Sequence, residues 1–296
     1  FFSCYNISMK TLRECILDAE EKKVAIGHFN VSDTEMLCGV IAASRSCNVP
    51  VVIGTSEGER DFIGPKQVVA LVQSLREEFD HPIFLNADHT YSLERVKEAI
   101  QVGYDAVIFD GAKLSFEENV ELTRECVKYA KDSGKDVLVE GEIGYIGKSS
   151  KLLDEVPKGA DITEDAMTKP EELSDFVAKT GVDLVAPAVG NLHGMLKSGK
   201  NPNISADRIK ELREAGGVPM VLHGGSGITD DDFTRAIAAG MSTIHVSTEI
   251  RVAYRKAIQI SLQENPEEVA PYKYMKNAVQ AVQHVVEGRL KLFNNL

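Results

Sequence analysis

The chain has 296 residues, 43% of them hydrophobic and 26% charged, with 33 basic against 45 acidic side chains and a net charge of −12. That composition excludes a disordered or collagen-like chain. An acidic balance without a basic run excludes a nucleic-acid or anionic-membrane surface, while leaving room for a local basic pocket around a small phosphate.

The length suits two ordinary domains or one large α/β barrel. No apolar run reaches the ~18–20 residues of a membrane span. The opening stretch Phe1-Phe2-Ser3-Cys4 lacks the charged start of a signal peptide, and Met9 is a candidate native start. The five cysteines (Cys4, Cys15, Cys38, Cys47 and Cys126) are odd in number and form no CxxC. Reduced thiols and a cytoplasmic setting are therefore expected.

From residue 24 onward, short β-branched runs alternate with amphipathic helical stretches. The expected strands are Val24–Phe29, Val51–Gly54, Ile83–Ala87, Ala106–Phe109, Val137–Glu140, Leu184–Ala188, Val218–Leu222 and Thr243–Val246. Ser92 caps a helix over 93–100, and Ser133-Gly134 stops another that runs Glu118–Ala130. Most of the strands are apolar on both faces, as in a parallel sheet covered by helices. About eight βα units in this length predict a closed (β/α)8 TIM barrel, one domain over 1–296. A doubly wound open sheet is the runner-up; it has fewer strands, and no GxGxxG follows the first strand here. The tail Pro271–Leu296 reads as one or two extra C-terminal helices that cover the barrel or reach a partner subunit.

Polar residues terminate the strands: Asn30 the first, Ser56 the second, Asp88-His89 the third, Asp110 the fourth, Glu140 and Glu142 the fifth. His193 and Gly194 follow the sixth, His223-Gly224-Gly225-Ser226-Gly227 the seventh, and His245, Ser247 and Thr248 end the eighth. In a parallel barrel these ends meet on one rim, where barrel enzymes hold their sites. His89, His193 and His223, from three strands, match a three-histidine metal set with an open position. His28 and His245 also lie near strand ends, so position alone leaves the ligand set open. The glycine loop after the seventh strand and the helix start after the eighth suit a phosphate. Lys197 is a candidate cation for it. Asp88 suits proton transfer or the orientation of a ligand histidine. Glu140 and Glu142, two apart, share a strand face and could hold or tune a metal.

Three motifs carry a resemblance: Asn86-Ala87-Asp88-His89, Asn191-Leu192-His193-Gly194 with Lys197, and Val221-Leu222-His223-Gly224-Gly225-Ser226-Gly227-Ile228. With them the chain resembles the class II, metal-dependent ketose-bisphosphate aldolases of the fructose- and tagatose-bisphosphate aldolase family. The resemblance spans nearly all of the sequence. It implies catalytic Zn2+ on His89, His193 and His223, with Asp88 as acid/base. It places Gly194, Lys197, Gly224, Gly225, Ser226 and Thr248 around dihydroxyacetone phosphate, and Asn30 and Ser56 near the substrate. Asp110, Glu140 and Glu142 fall near the metal, as an alternative seat or for a second divalent or monovalent cation. Glu164, at the end of a mobile loop, is the implied base in the synthetic direction. The implied reaction is reversible cleavage of a phosphorylated ketose, fructose 1,6-bisphosphate first and tagatose 1,6-bisphosphate next. Its products are dihydroxyacetone phosphate and an aldehyde such as glyceraldehyde 3-phosphate. A homodimer or homotetramer is implied as well.

The sequence departs from that pattern in three places. The loop Gly144–Ser150 and the residues up to Glu164 make a longer link than the family's. Thr243 stands where Lys is common. His245 stands where the family has Asn, so it is expected to donate a hydrogen bond to the developing oxyanion and to titrate near neutral pH. Two other readings are a metal-dependent hydrolase, which needs no phosphate loop, and a sugar-phosphate-binding barrel, which needs no Asp88. A Schiff-base aldolase needs a strand lysine, and the fifth to seventh strands have none.

Overall fold

The structure, a computed structural model, describes residues 10–147, 151–156, 163–198 and 201–296. Its strands are β1 Ile26–Asn30, β2 Val51–Thr55, β3 Ile83–Thr90, β4 Ala106–Phe109, β5 Leu138–Ile143, β6 Leu152–Leu153, β7 Leu184–Pro187, β8 Met195–Leu196, β9 Met220–Leu222 and β10 Met241–Val246. The helices are α1 Leu12–Lys22, α2 Thr34–Cys47, α3 Glu57–Ile63, α4 Pro65–Phe79, α5 Leu93–Val102, α6 Phe116–Asp132, α7 Pro170–Thr180, α8 Ala206–Gly216, α9 Asp230–Ala239, α10 Thr248–Glu264, α11 Pro271–Tyr274 and α12 Lys276–Phe293.

Eight parallel strands close in the order β1-β2-β3-β4-β5-β7-β9-β10, with β10 paired back to β1. This is the (β/α)8 barrel that the strand count predicts, and each expected strand is present. The small pair β6-β8 lies outside the barrel and was not foreseen. α6 starts earlier than expected because Ser115, whose side chain accepts from the Glu118 N–H in a capping box, is its first cap.

Alternation along each strand sorts the barrel into two layers. Outward side chains such as Phe29, Ile53, Leu85, Val107, Val139 and Ile244 pack against the helices. Inward ones change character with height. Ile26, Val52, Phe84, Ala106, Leu138, Leu184 and Val221 make an apolar floor. One step higher the inward positions are His28, Gly54, Asn86 and Glu140, and above them Asn30, Asp88 and Glu142. The floor is closed from below by α1, whose Leu12, Cys15, Ile16 and Ala19 join that cluster.

α12 is one of the expected C-terminal helices. It packs on α2, α9, α10 and β1, with Val282, Val286, Leu290 and Phe293 fully buried. It therefore serves as an outer wall of the barrel rather than as an appendage. Cys15, Cys38, Cys47 and Cys126 are free thiols, as the odd count suggests, and Cys4 lies outside the described residues. Among the described residues no helix is long and apolar enough to cross a membrane.

Candidate active site

The strand ends converge on one cleft. It is lined by Asn30, Asp88, His89, His193, Gly194, His223, Gly224, Gly225, Ser226, His245, Ser247 and Thr248. Neighbouring residues of a regular strand face opposite sides, so Asp88 and His89 should not both look inward. The ladder between β3 and β4 slips between Ala87 and Thr90, and His89 adopts a left-handed φ of 38°. That irregularity turns both side chains into the cleft. It is braced by Arg60, a fully buried guanidinium that donates to the carbonyls of Thr55 (2.7 Å) and Asp88 (3.2 Å) and to Thr90 Oγ1 (3.1 Å).

His89, His193 and His223 bring ligand atoms within 4.8 Å of one another. Each ring has one nitrogen tied back. His89 Nδ1 lies 3.0 Å from Asp110 Oδ2, His193 Nδ1 2.8 Å from the Gly147 carbonyl, and His223 Nε2 2.8 Å from Glu140 Oε1. The other nitrogen of His223, Nδ1, is buried with no hydrogen bond among the described residues, 3.7 Å from Glu142 Oε2. Three clustered histidines, each oriented by a carboxylate or a carbonyl, fit a divalent metal. Asp110 and Glu140 thus stand behind the histidines. The sets His89–Asp110–Glu142, at the partly buried edge, and Glu140–His223–His245, fully buried, also bring ligand atoms within 4.8 Å, two further candidate seats.

Charge is tightly coupled here. Burial works against ionised Asp88, yet His89, His245 and His28 hold its carboxyl well below the usual range, so it is a carboxylate at neutral pH. Burial alone would lower His89, but Asp88, Asp110 and Glu142 carry it well above an ordinary imidazole. Burial, with His89 adding to it, pushes His193 down to about 4.

The phosphate half is built from backbone. At Gly224 (φ 66°) a Cβ would sit 2.3 Å from the Leu192 carbonyl, and at Gly225 one would sit 2.6 Å from the His245 carbonyl, so only glycine lets these strands' loops touch. Ser226 Oγ accepts from the N–H groups of Ser247 (3.3 Å) and Glu249 (3.1 Å) at the start of α10. The Ser226 hydroxyl, fixed by those amides, and the helix N-terminus form a concavity suited to an anion. Two buried asparagines tie the halves together. Asn191 Nδ2 donates to the His223 carbonyl (3.1 Å), and Asn201 Nδ2 donates to the carbonyls of Gly194 (2.9 Å) and Ser226 (2.8 Å).

Several expected site residues stand elsewhere. Lys197 does not face the phosphate loop; beyond β8 it points out of the cleft and pairs with Asp154 Oδ1 at 2.7 Å. Glu164 does not reach the cleft; it begins a 3-10 turn, its side chain is 89% exposed, and its neighbour is Arg208 at 3.8 Å. Ser56 caps α3, bonded to Glu59, one layer behind Asn30. Glu142 and Glu140 do share the inward face. Lys148–Ser150 and 157–162 of the long loop lie outside the described residues.

His245 corrects one expectation. Its Nδ1 lies 3.5 Å from Asp88 Oδ1 without a formed hydrogen bond, and its Nε2 is buried with no partner among the described residues. Burial, with His28 and His223 stacked on its two faces, holds its pKa well below 6.5, so it does not titrate near neutrality. His28, which strand position left open together with His245, lies beside it. It pairs with His245 across the β1–β10 ladder and stacks on it at 3.4 Å between ring centroids, 3° from parallel. Gly54 makes room for it, since a Cβ there would come within 2.1 Å of its ring. Glu59, Arg60 and Asn201 were also unforeseen, because nothing local marks a helix-start glutamate or a loop asparagine as buried.

Residues 10–296 match the family model described as fructose-bisphosphate aldolase class-II. The fructose-bisphosphate aldolase of Staphylococcus epidermidis is 35% identical over 286 residues, 96% of each chain. That of Geobacillus stearothermophilus is 34% identical over 292 residues, 98% of each. Among solved structures, the YdjI aldolase of Escherichia coli K12 superposes with a TM-score of 0.79 at 29% identity, covering 97% of both chains.

Proposed function

The chain belongs to the class II fructose-bisphosphate aldolase family, and from that premise we propose that it is a zinc-dependent lyase that cleaves a phosphorylated ketose to dihydroxyacetone phosphate and an aldehyde. Fructose 1,6-bisphosphate is the first substrate to test, with tagatose 1,6-bisphosphate the second. The observation that carries this reading is the meeting, in one cleft, of three back-bonded histidines, an ionised Asp88 and a glycine-built anion seat.

Zinc on His89, His193 and His223 would supply a Lewis acid toward the substrate's ketone and neighbouring hydroxyl oxygens. The rest is done by the chain. The glycine loop at Gly224–Ser226, with the Ser226 hydroxyl and the N-terminus of α10, holds the phosphate and so places the three-carbon unit. Asp88 accepts the proton of the hydroxyl on the carbon that becomes the aldehyde. The carbon–carbon bond then breaks with its electrons toward the carbon beside the ketone, which takes a proton from solvent to complete dihydroxyacetone phosphate, while Asp88 returns its proton to solvent. Asn30 orients Asp88 from beside it, at 2.8 Å. The carboxylates Asp110, Glu140 and Glu142 keep the ligand histidines oriented and offer a seat for a second cation. The reading takes 1–296 as one catalytic domain, assembled as a homodimer or homotetramer in the cytoplasm.

The test is a retro-aldol assay over ketose mono- and bisphosphates, with metal analysis and with chelator. Cleavage that chelator abolishes and Zn2+ or Co2+ restores is the expected result. Full activity in protein shown to be metal-free would overturn the zinc reading, and no cleavage of any ketose phosphate would overturn the aldolase reading.

A further inference from the structure

Glu59 occupies the third position of α3 and closes the capping box with Ser56. Such a glutamate normally stays at the surface, since the helix end needs only one of its oxygens. Here it is 7% exposed and both oxygens are engaged. Oε2 accepts from the Ser56 N–H and hydroxyl, each at 2.8 Å, and from Asn30 Nδ2 at 3.0 Å. Oε1 accepts from Arg251 of α10, on the far side of the barrel seam.

The Asn30 contact has a consequence for the cleft. Asn30 Nδ2 also donates to Asp88 Oδ2 at 2.8 Å. Both partners are carboxylates, and carboxylates only accept, so both hydrogens of the amide nitrogen are committed. The amide can have only one orientation: NH2 toward Asp88 and Glu59, carbonyl away from them. With Oδ2 occupied by Asn30, the other oxygen of Asp88, Oδ1, is buried and makes no hydrogen bond among the described residues; the nearest ring nitrogens are His245 Nδ1 at 3.5 Å and His89 Nε2 at 3.8 Å.

We infer that Glu59 is a positioning residue that fixes the Asn30 amide and thereby leaves Oδ1 as the working oxygen of Asp88. It touches neither substrate nor metal ligand, and it acts only through Asn30. Without its carboxylate the amide is held from one side only. It can then turn its carbonyl toward Asp88, where two acceptors repel. The activity arm of the test rests on the proposed aldolase function; a spectroscopic arm does not.

Glu59→Ala is expected to lower kcat ~10-fold while moving KM less than about twofold, the split of a misaligned proton acceptor. Glu59→Gln, which still offers Asn30 an acceptor oxygen, is expected to recover most of that loss. In an Asn30→Ala background, Glu59→Ala is expected to cost nothing more, because its only route to Asp88 is gone. If Glu59→Ala folds poorly, Glu59→Asp, one methylene too short to reach Asn30, carries the same expectation. In ¹⁵N spectra, the Asn30 side-chain amide signals, identified by their loss in Asn30→Ala, should shift and exchange faster with solvent in Glu59→Ala. An additive cost in the double variant, a loss that falls on KM, or unchanged Asn30 signals would each overturn the assignment. A wild type that cleaves no ketose phosphate but shows the Asn30 shift would sink the aldolase reading and leave Glu59's role standing.

Discussion

Asp88, Glu140 and His223 are at most 4% exposed, and each is held by a side chain from another strand. At the mouth, the ribbon of β6 and β8 is held by two paired residues on each side and by one ion pair whose side chains, Lys197 and Asp154, are 57% and 82% exposed. The contrast separates two degrees of constraint. Proton and metal chemistry needs groups fixed to a fraction of an ångström, and strands in a packed wall supply that. A short, solvated ladder at the mouth carries fewer such constraints. Changes inside should therefore be costly for turnover and changes on the ribbon should be mild.

The largest expected effect is at Asp88. Asp88→Ala should still bind dihydroxyacetone phosphate, measured by calorimetry, but lose cleavage by ~10²–10⁴-fold, the usual contribution of a positioned acid/base. Near-normal turnover would reduce Asp88 to an orienter of His89 and remove the sharpest difference between interior and mouth.

The next concerns stability. Burial pushes His28 down to about 4 from 6.5. The unfolded chain therefore takes up a proton near pH 6.5 that the folded protein refuses until near pH 4. Stability is fully present above 6.5 and falls as pH drops through that window, by about 3 kcal/mol from this residue. Denaturant melts of chelated protein should show a shallower loss between pH 6.5 and 4 for His28→Leu than for wild type. Parallel curves would show that His28 is solvated or protonated in the fold.

A smaller effect is expected at His245. Its Nδ1 faces Asp88 at 3.5 Å, and an Asn amide can present a polar group to the same carboxylate. His245→Asn should keep most of the activity and His245→Ala should lose ~10-fold or more. Equal rates for the two variants would mean that the imidazole only fills space between His28 and His223. Neither the wild type nor the Asn variant should show a step near neutral pH that is due to this residue, since burial and the flanking rings keep it neutral.

The smallest effect is at the mouth. Lys197→Ala removes an exposed ion pair, worth under ~1 kcal/mol. KM for a ketose phosphate should change less than about twofold. A rise of tenfold or more would show that Lys197 leaves Asp154 when substrate is bound, and the ribbon would then belong with the binding machinery.

How legible was this in the sequence? Each barrel strand was readable because a strand buried on both faces must be a continuous apolar run, whatever its neighbours. His89, His193 and His223 were readable because strand ends in a parallel barrel face one rim. Lys197 and Glu164 were misplaced because a spacing of four residues, or a motif at a loop end, says nothing about which way an irregular loop turns. The helix α1 was missed although Thr11 and Glu14 form a capping box, a local signal that was present and unread.

Local chemistry thus determined the elements, the glycine loop and the identity of the candidate metal-binding rings. Periodicity and capping act over a few residues and survive in any context. Closure of the barrel decided the rest. Only when β10 returns to β1 do His28 and His245, 217 positions apart, become ladder partners and stack. Only then does Arg251 meet Glu59, which in turn holds Asn30 against Asp88. The inward turn of both Asp88 and His89 likewise depends on a slipped ladder and a buried arginine from α3. These contacts join residues that no local pattern relates, and packing in three dimensions alone selects them.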